Sequence, residues 1–240
     1  MEFHVTDNHA LTPWVWSMAL KGEASGIARP GQFVQLRLPG FYLRRPISVC
    51  QWDDTCIRLV YKVVGQGTEA MARMLPGQAL DVLTGLGNGF QVDACGDRPL
   101  LVGGGVGLPP LIGLAEALLR AGKRPQIVAG FGTAAEVFLR EEAQALGVPF
   151  HLATMDGSAG VRGLATDAMA GLAFDSVCAC GPEPMLRAVY DAAEVPGQFS
   201  FEERMGCGFG ACMGCTCQTK YGAKRICKDG PVLRREEIVW

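Results

Sequence analysis

The sequence predicts an α+β protein with three parts: an antiparallel β-barrel, a doubly wound parallel α/β domain, and a small cysteine-rich segment at the C-terminus. Short apolar runs separated by turn residues fill positions 1–97, and strands alternate with helices over 98–200. Four cysteines and four glycines then crowd into the stretch "RMGCGFGACMGCTC". We therefore expect domain boundaries that give the ranges 1–97, 98–200 and 201–240.

The composition of the chain excludes several classes of protein. Of the 240 residues, 49% are hydrophobic and the formal net charge is −2, which excludes a disordered chain and a basic nucleic-acid-binding surface. The first residues, "MEFHVTDNHALTPW", do not combine a basic stretch with an apolar one, so we expect no signal peptide. Ten cysteines without such a signal favour a reducing, cytoplasmic location, where clustered thiols commonly bind metal or do redox chemistry.

The N-terminal third is typical of a small barrel. The runs "GQFVQLRL" and "CIRLVYKVV" are separated by turn signals such as "LPG" and "DD". One helix is predicted here, "TEAMARML" at 68–75, and Pro76-Gly77 ends it.

At residue 98 the sequence pattern changes to strands that alternate with helices. The apolar strand "RPLLVGGGVG" leads into the helix "LPPLIGLAEALLRAG". Three more strands are predicted after it, at "RPQIVAGFG", "PFHLAT" and "DSVCACG". Two further helices are predicted at "AAEVFLREEAQALG" and "EPMLRAVYDAA". The alternative interpretation of the first strand and helix is a membrane span over residues 99–119. Five glycines, two consecutive prolines and Glu116 within that stretch favour a strand, a loop and a helix, so we expect no membrane association.

The cysteine spacing is the most specific signal. Cys207-x4-Cys212-x2-Cys215, followed after eleven residues by Cys227, is the spacing of plant-type [2Fe–2S] centres. The glycines between these cysteines allow the backbone to approach a cluster closely and to aim amide N–H groups at it. Zinc or simply buried cysteines are the alternatives, although zinc sites usually show two C-x2-C pairs. Cys217 lies two residues beyond Cys215 and would face away in an extended segment, so we expect it not to be a ligand.

Two motifs predict a flavin. "RRPISV" places Arg45, suited to a phosphate, three residues before Ser48, whose hydroxyl suits a ring heteroatom. Gly65, Gly67 and Thr68 lie between a strand and a helix, where free N–H groups can hold an anion. The alternatives are an exposed strand-end arginine and a threonine that only caps the helix.

A glycine-rich turn predicts a dinucleotide phosphate site. "LLVGGGVGLPPL" follows a strand and opens a helix, and its glycines are Gly103, Gly104, Gly105 and Gly107. The region after the next strand, "AGFGTAAEVF", has no Arg or Lys before Arg140 to meet a 2′-phosphate. This favours NAD over NADP.

In their order, R-P-x-S, G-x-G-T, a glycine-rich strand end and C-G-P make the chain resemble the ferredoxin–NADP reductase superfamily. The C-terminal cysteines narrow the resemblance to the electron-transfer subunits of two-subunit, NAD-dependent dihydroorotate dehydrogenases. The supporting motifs are "RRPIS", "GNGF", "GGGVGLPPL", "CGPEPML", "ERMGCGFGACMGC" and "CKDGPV". Ile47 stands where the superfamily's commoner motif has a tyrosine, a departure that fits this branch.

The resemblance implies FAD, a [2Fe–2S] cluster and NAD as cofactors. It implies that Arg45 and Thr68 hold the pyrophosphate and that Pro46, Ile47 and Ser48 line the flavin. It also places Cys180, Gly181 and Pro182 near the nicotinamide. On this interpretation Ser48 and Cys180 are the candidate catalytic residues, and the four cysteines that follow the ferredoxin spacing are the metal ligands.

The resemblance also implies a partner, an FMN-containing catalytic subunit that oxidises dihydroorotate to orotate in pyrimidine biosynthesis, in a heterotetramer with two copies of each chain. Electrons would pass from that FMN through the cluster and the FAD to NAD⁺. The alternatives are a small subunit of another NAD(P)-linked oxidoreductase, such as a sulfhydrogenase, a transhydrogenase or an oxygenase reductase, and a zinc-stapled flavin sensor without enzymatic activity.

Overall fold

The computed structural model describes all residues, 1–240. The first part is a closed barrel of six antiparallel strands in the order β1-β2-β5-β4-β3-β6, with one helix between the last two strands of the chain order. The elements are β1 (Glu2–Ala10), β2 (Val15–Lys21), β3 (Phe33–Arg37), β4 (Arg45–Trp52), β5 (Cys56–Lys62), α1 (Gln66–Ala72) and β6 (Ala79–Leu86). The predicted barrel is confirmed, and its helix begins two residues earlier than expected.

Strand β3 shows how the barrel is positioned against the rest of the chain. Val34 and Leu36 point into the barrel core, where they are fully buried with apolar residues of the other strands. Phe33 and Gln35 alternate with them and face outward. Both are nonetheless buried, because the C-terminal segment covers this face.

The second part is a parallel sheet with helices on both faces, as predicted. Its elements are β7 (Pro99–Gly104), α2 (Leu108–Arg120), β8 (Gln126–Phe131), α3 (Arg140–Ala145), β9 (Phe150–Thr154), β10 (Val161–Arg162), α4 (Ala165–Met169), β11 (Ser176–Cys180), α5 (Glu183–Ala192) and β12 (Gly197–Ser200). The strand order is β10-β9-β8-β7-β11-β12. Helices α2 and α3 pack on one face, and α4 and α5 pack on the other. The sheet is therefore doubly wound.

The long helix predicted at 134–147 is wrong. The chain forms a single 3₁₀ turn at Ala134–Glu136, and α3 begins only at Arg140. Between them Phe138 and Leu139 are buried, and Leu139 adopts a left-handed φ of 58° that no α-helix accommodates. Burial of these two side chains overrides the local helical pattern. The sequence reasoning also missed the short helix α4 and strand β12.

The stretch 99–119 forms a strand, a turn and a helix, as predicted. None of the helices is both long and apolar enough to cross a lipid bilayer.

The C-terminal segment joins both other parts of the chain. It contains a hairpin of β13 (Thr216–Thr219) and β14 (Gly222–Arg225), followed by β15 (Val232–Arg234). Strand β15 pairs antiparallel with β12 and becomes the seventh strand of the large sheet. The sheet thus continues beyond residue 200, and the division into the ranges 1–97, 98–200 and 201–240 stays a prediction.

The barrel and the α/β domain share an extensive interface. Helix α2 lies directly on β4, where Gly113 approaches the carbonyl of Cys50 so closely that any side chain would clash. Arg58 of β5 donates hydrogen bonds to Gln51 at 3.0 Å and to Glu142 of α3 at 3.0 Å. The contacts of Gly113 and Glu142 hold helices α2 and α3 against the barrel.

Asn88, between β6 and β7, fastens the barrel side to the C-terminal segment. Its side-chain Nδ2 donates to the carbonyls of Asp229 (3.2 Å) and Val232 (2.7 Å), and its Oδ1 accepts from the Val232 amide (3.1 Å). Its main-chain N–H donates to the Gly230 carbonyl at 2.7 Å. One asparagine thereby pairs with three carbonyls and one amide in the stretch that leads from Cys227 into β15.

Asn88→Ala removes three side-chain hydrogen bonds and leaves backbone groups of Asp229 and Val232 unpaired. We expect the free energy of unfolding to fall by about 2–3 kcal/mol, with loss of bound iron, in denaturation curves and iron assays. The control is Asn8→Ala, since Asn8 Nδ2 donates only within the barrel region, to the Met71, Ala72 and Met74 carbonyls. It should lower stability without loss of iron. Full stability and full iron in Asn88→Ala would contradict this role.

Candidate functional site

A cavity of about 400 Å³ lies where the three parts of the chain meet. Strand β4, helix α1, the end of β11 and the C-terminal segment all contribute to its wall. The predicted site residues on this wall are Arg45, Pro46, Ile47, Ser48, Thr68 and Cys180. The structure thus brings together side chains that the sequence separates by more than a hundred positions.

One end of the cavity is suited to a pyrophosphate. Arg45 lies over Gly67 so closely that a side chain at position 67 would clash with the guanidinium, and it stacks on Phe41 with 4.8 Å from Cζ to the ring centroid. The N–H groups of Gly67 and Thr68 make no hydrogen bond to the backbone. A cation and free amides at a helix start together favour an anion.

Thr68 has a second role in the structure. Its hydroxyl accepts hydrogen bonds from the amides of Val64 (2.9 Å) and Gly65 (3.3 Å), so it closes the turn before α1. The backbone N–H of Thr68, and not its hydroxyl, is the group available to an anion. Gly65 has an extended φ of 175° and does not line the cavity.

The strand β4 supplies the other wall of the cavity. Ile47 is half-buried, and the Ser48 hydroxyl makes no hydrogen bond within the chain. Ser48 faces Phe33 across the β3–β4 pair. A free hydroxyl beside apolar side chains fits the edge of a flat aromatic ring that carries polar atoms.

A second cavity of about 370 Å³ lies at the carboxyl ends of β7, β8 and β11. This is the position where ligands bind in open parallel sheets. Gly104, Gly105 and Pro182 line it, together with Glu136, whose carboxylate projects from the turn after β8. Gly105 has a left-handed φ of 50° and open space around it, so ligand atoms can approach its backbone.

Gly103 and Gly107 have packing positions instead. A Cβ on Gly103 would lie 3.0 Å from Cα of Leu108, and one on Gly107 would clash with the Cys180 carbonyl. These two glycines let helix α2 and strand β11 come close to the turn, which shapes the cavity without lining it.

The Cys180-Gly181-Pro182 turn separates the two cavities. Cys180 lines the first and Pro182 lines the second. Burial, strengthened by the negative charge of Glu202 nearby, raises the pKa of the Cys180 thiol to about 12. The thiol is therefore protonated at neutral pH and is a neutral, compact group at the junction. Burial also raises the pKa of Glu202, although the residue as a whole is exposed to solvent.

The four cysteines with ferredoxin spacing form two pairs. The N–H of Cys212 donates to Cys207 Sγ, and the N–H of Cys227 donates to Cys215 Sγ. Cys215 and Cys227 are buried in the same apolar cluster as Phe33 of the barrel, whereas Cys212 is exposed. No three potential ligands converge closely enough to hold a single metal ion. Two sulfur pairs suit a binuclear core, in which each iron takes two of the four thiolates.

Backbone amides are aimed at the sulfurs. The N–H groups of Ala211 (3.2 Å) and Cys212 (3.4 Å) donate to Cys207 Sγ, and that of Cys227 donates to Cys215 Sγ at 3.3 Å. Burial raises the pKa of Cys207, but these amides and the Cys212 thiol outweigh it and lower the pKa to about 6. Left-handed glycines, Gly208 (φ 79°) and Gly210 (φ 89°), allow this curvature. The donor set fits a [2Fe–2S] centre.

The comparisons agree with this geometry. A family model described as the iron-sulfur cluster binding domain of dihydroorotate dehydrogenase B matches residues 202–239. The chain is 42% identical over 252 residues to the dihydroorotate dehydrogenase B (NAD(+)) electron transfer subunit of Bacillus caldolyticus, with 98% of this chain and 96% of the relative covered. The chain belongs to the family of these electron transfer subunits.

Solved structures support the family's fold. The NADH-dependent reduced ferredoxin–NADP oxidoreductase, studied for flavin-based electron bifurcation, matches with a TM-score of 0.90 and 32% identity over 99% of this chain and 90% of that one. A flavohemoglobin from Malassezia yamatoensis with bound FAD and heme matches with a TM-score of 0.67 and 19% identity, over 80% of this chain and 55% of that one. The second match shows a shared fold alone.

Three residues near the site were not identified from the sequence. Glu136 and Glu202 line the cavities, and Gln35 lies beneath the cysteine segment. Glu136 could have been recognised as an acidic residue shortly after the second parallel strand, the usual place for a ribose ligand. Glu202 and Gln35 carried no such signal. Their positions depend on the C-terminal segment folding back on the barrel, which no local pattern encodes.

The pairing predicts different outcomes for two neighbouring cysteines. Cys212→Ser removes a ligand and should abolish the visible absorbance of the cluster. Cys217→Ser should leave the absorbance intact, because Cys217 lies on β13 and lines a separate cavity with Trp240. Absorption spectra and acid-labile sulfide per chain of both variants, prepared without oxygen, provide the measurement. Bleaching by Cys217→Ser with colour retained in Cys212→Ser would overturn the assignment.

Proposed function

We propose that this chain is the electron-transfer subunit of an NAD-dependent dihydroorotate dehydrogenase. A partner subunit oxidises dihydroorotate to orotate in pyrimidine biosynthesis, and this chain delivers the electrons to NAD⁺. The observation that carries the proposal is the match to that family over 98% of the chain at 42% identity. The geometry supports it, since one cavity adjoins both the nicotinamide turn and the cysteine segment.

The residues have distinct tasks in this proposal. Arg45 and the amides of Gly67 and Thr68 bind the pyrophosphate of FAD, and Ser48 orients the reactive edge of its ring. FAD, when bound, converts between the hydride pair of a nicotinamide and the single electrons of an iron–sulfur cluster. The protonated Cys180 fills the junction between flavin and nicotinamide without placing a negative charge there.

The two cysteine pairs differ in their exposure to solvent. Cys207 and Cys212 lie on the outer side, where Phe209 (56% exposed) and Met213 (54% exposed) form an apolar surface. Cys215 and Cys227 lie on the inner side against the barrel. We infer that the partner, a subunit with FMN in a complex of two copies of each chain, docks on the outer side. Electrons then leave by the inner side.

We also infer a cytoplasmic location. All ten cysteines are free thiols, and several of them are proposed ligands that disulfide formation would remove. A reducing compartment keeps them available.

Glu136 should determine the choice between NAD and NADP. Its carboxylate can accept a hydrogen bond from a ribose hydroxyl and repels a 2′-phosphate. We expect Glu136→Lys to raise the KM for NADH and to lower that for NADPH, each by about tenfold. Glu141→Lys, an equal change of charge on the exposed face of α3, is the control and should change neither. Unchanged KM values for both nucleotides in Glu136→Lys would contradict this role.

The function is tested by isolating the chain with its partner from the native cell. We expect a dihydroorotate-oxidising, FMN-containing subunit and dihydroorotate-dependent reduction of NAD⁺. Phe209→Asp should weaken the complex by at least about tenfold, because it puts a charge into an apolar interface. Leu75→Asp, at a position 67% exposed on the barrel, is the control. Recovery of a hydrogenase or oxygenase would favour a different oxidoreductase, and colourless protein with stoichiometric zinc would favour the sensor.

A further inference from the structure

Gln35 is a buried polar residue that nothing in the protein satisfies. Its side chain is fully buried, at 0% exposure, and neither Nε2 nor Oε1 has a hydrogen-bond partner. Buried amides are almost always paired, because an unpaired one loses its hydration without replacement. The other interior glutamine side chains are satisfied: Gln32 bonds to Gly87 and to the Ala28 and Arg29 amides, and Gln198 bonds to Gln91.

The position of Gln35 shows what it faces. It lies on the outward face of β3, near Phe33, which belongs to the same buried apolar cluster as Cys215 and Cys227. Its amide touches Gly208, the residue that follows Cys207: a Cβ there would clash with Nε2 and would lie 2.7 Å from Cδ. The side chain therefore ends beneath the loop between Cys207 and Cys212.

Neither the flavin cavity nor the backbone of the cysteine loop satisfies this amide. The flavin cavity is lined by Phe33 and by Pro46, the β4 residue that pairs with Gln35, but not by Gln35 itself. The loop backbone supplies no partner either, since neither Nε2 nor Oε1 of Gln35 has a hydrogen-bond partner in the protein. The remaining candidate is the iron–sulfur core that this loop would enclose.

We propose that the side-chain amide of Gln35 donates a hydrogen bond to a sulfur of the iron–sulfur centre, either a bridging sulfide or a thiolate of the loop between Cys207 and Cys212. The inference rests on the cluster site proposed above. Hydrogen bonds to cluster sulfurs stabilise the more negative, reduced form and so raise the reduction potential. Gln35 is thus a positioning and tuning residue, contributed by the flavin-binding barrel to the cluster of another part of the chain.

The test uses the complete two-subunit enzyme with Gln35→Met, which keeps the volume of the side chain and removes the amide. In redox titrations followed by electron paramagnetic resonance, we expect the cluster's midpoint potential to fall while that of FAD stays unchanged. Iron and sulfide per chain should stay at the wild-type value. Gln198→Met, a second buried glutamine with partners away from the cysteine loop, is the matched control and should leave the cluster's potential unchanged.

A spectroscopic measurement detects the bond directly. With glutamine labelled with ¹⁵N at the side-chain nitrogen, electron spin-echo modulation of the reduced wild-type cluster should show a ¹⁵N coupling that Gln35→Met abolishes. A wild-type cluster without this coupling overturns the inference, whether or not the variant folds. A fully loaded Gln35→Met enzyme with an unchanged potential also overturns it. Wild-type protein that binds no iron and sulfide would instead overturn the cluster site itself.

Discussion

The attachment of the C-terminal segment to two domains at once is the constraint on which the electron-transfer geometry depends. Strand β15 extends the parallel sheet through β12, and Asn88 binds the same stretch of backbone from the barrel side. About 40 residues cannot bury enough apolar surface to be stable alone. The apolar side chains of the segment pack on the barrel and on the parallel sheet. This packing holds its cysteines at a fixed position relative to the flavin cavity.

The same packing defines the two cofactor cavities. Helix α2 packs on β4 through Gly113, so the carboxyl ends of the parallel strands face the barrel wall that carries Arg45 and Ser48. The turn at Cys180 is the shared boundary. A neutral thiol at this boundary avoids the repulsion that a thiolate would exert on electron-rich ring atoms.

The cysteine segment has one exposed side and one buried side, and this difference in burial sets the direction of electron transfer through it. Cys212 is exposed beside Phe209, while Cys215 and Cys227 are buried against Phe33. A partner can approach only the exposed side, and the protein's own flavin cavity lies on the buried side. One sulfur on each side, Cys207 Sγ and Cys215 Sγ, accepts hydrogen bonds from backbone N–H groups, which offset part of the negative charge that thiolates bring into a partly buried site.

The sequence by itself determined the fold class, the ferredoxin spacing of the four cysteines, and the two strand-to-helix turns that mark the nucleotide sites. These are local properties, since hydrophobic period, glycine positions and cysteine spacing are set by the covalent chain. Only the tertiary structure decided that Gly103 and Gly107 serve packing, that the helix predicted at 134–147 is interrupted, and that Gln35 and Glu202 face the cluster segment and the flavin cavity. Each of these depends on contacts between residues far apart in the chain, whose burial overrides what their immediate neighbours favour.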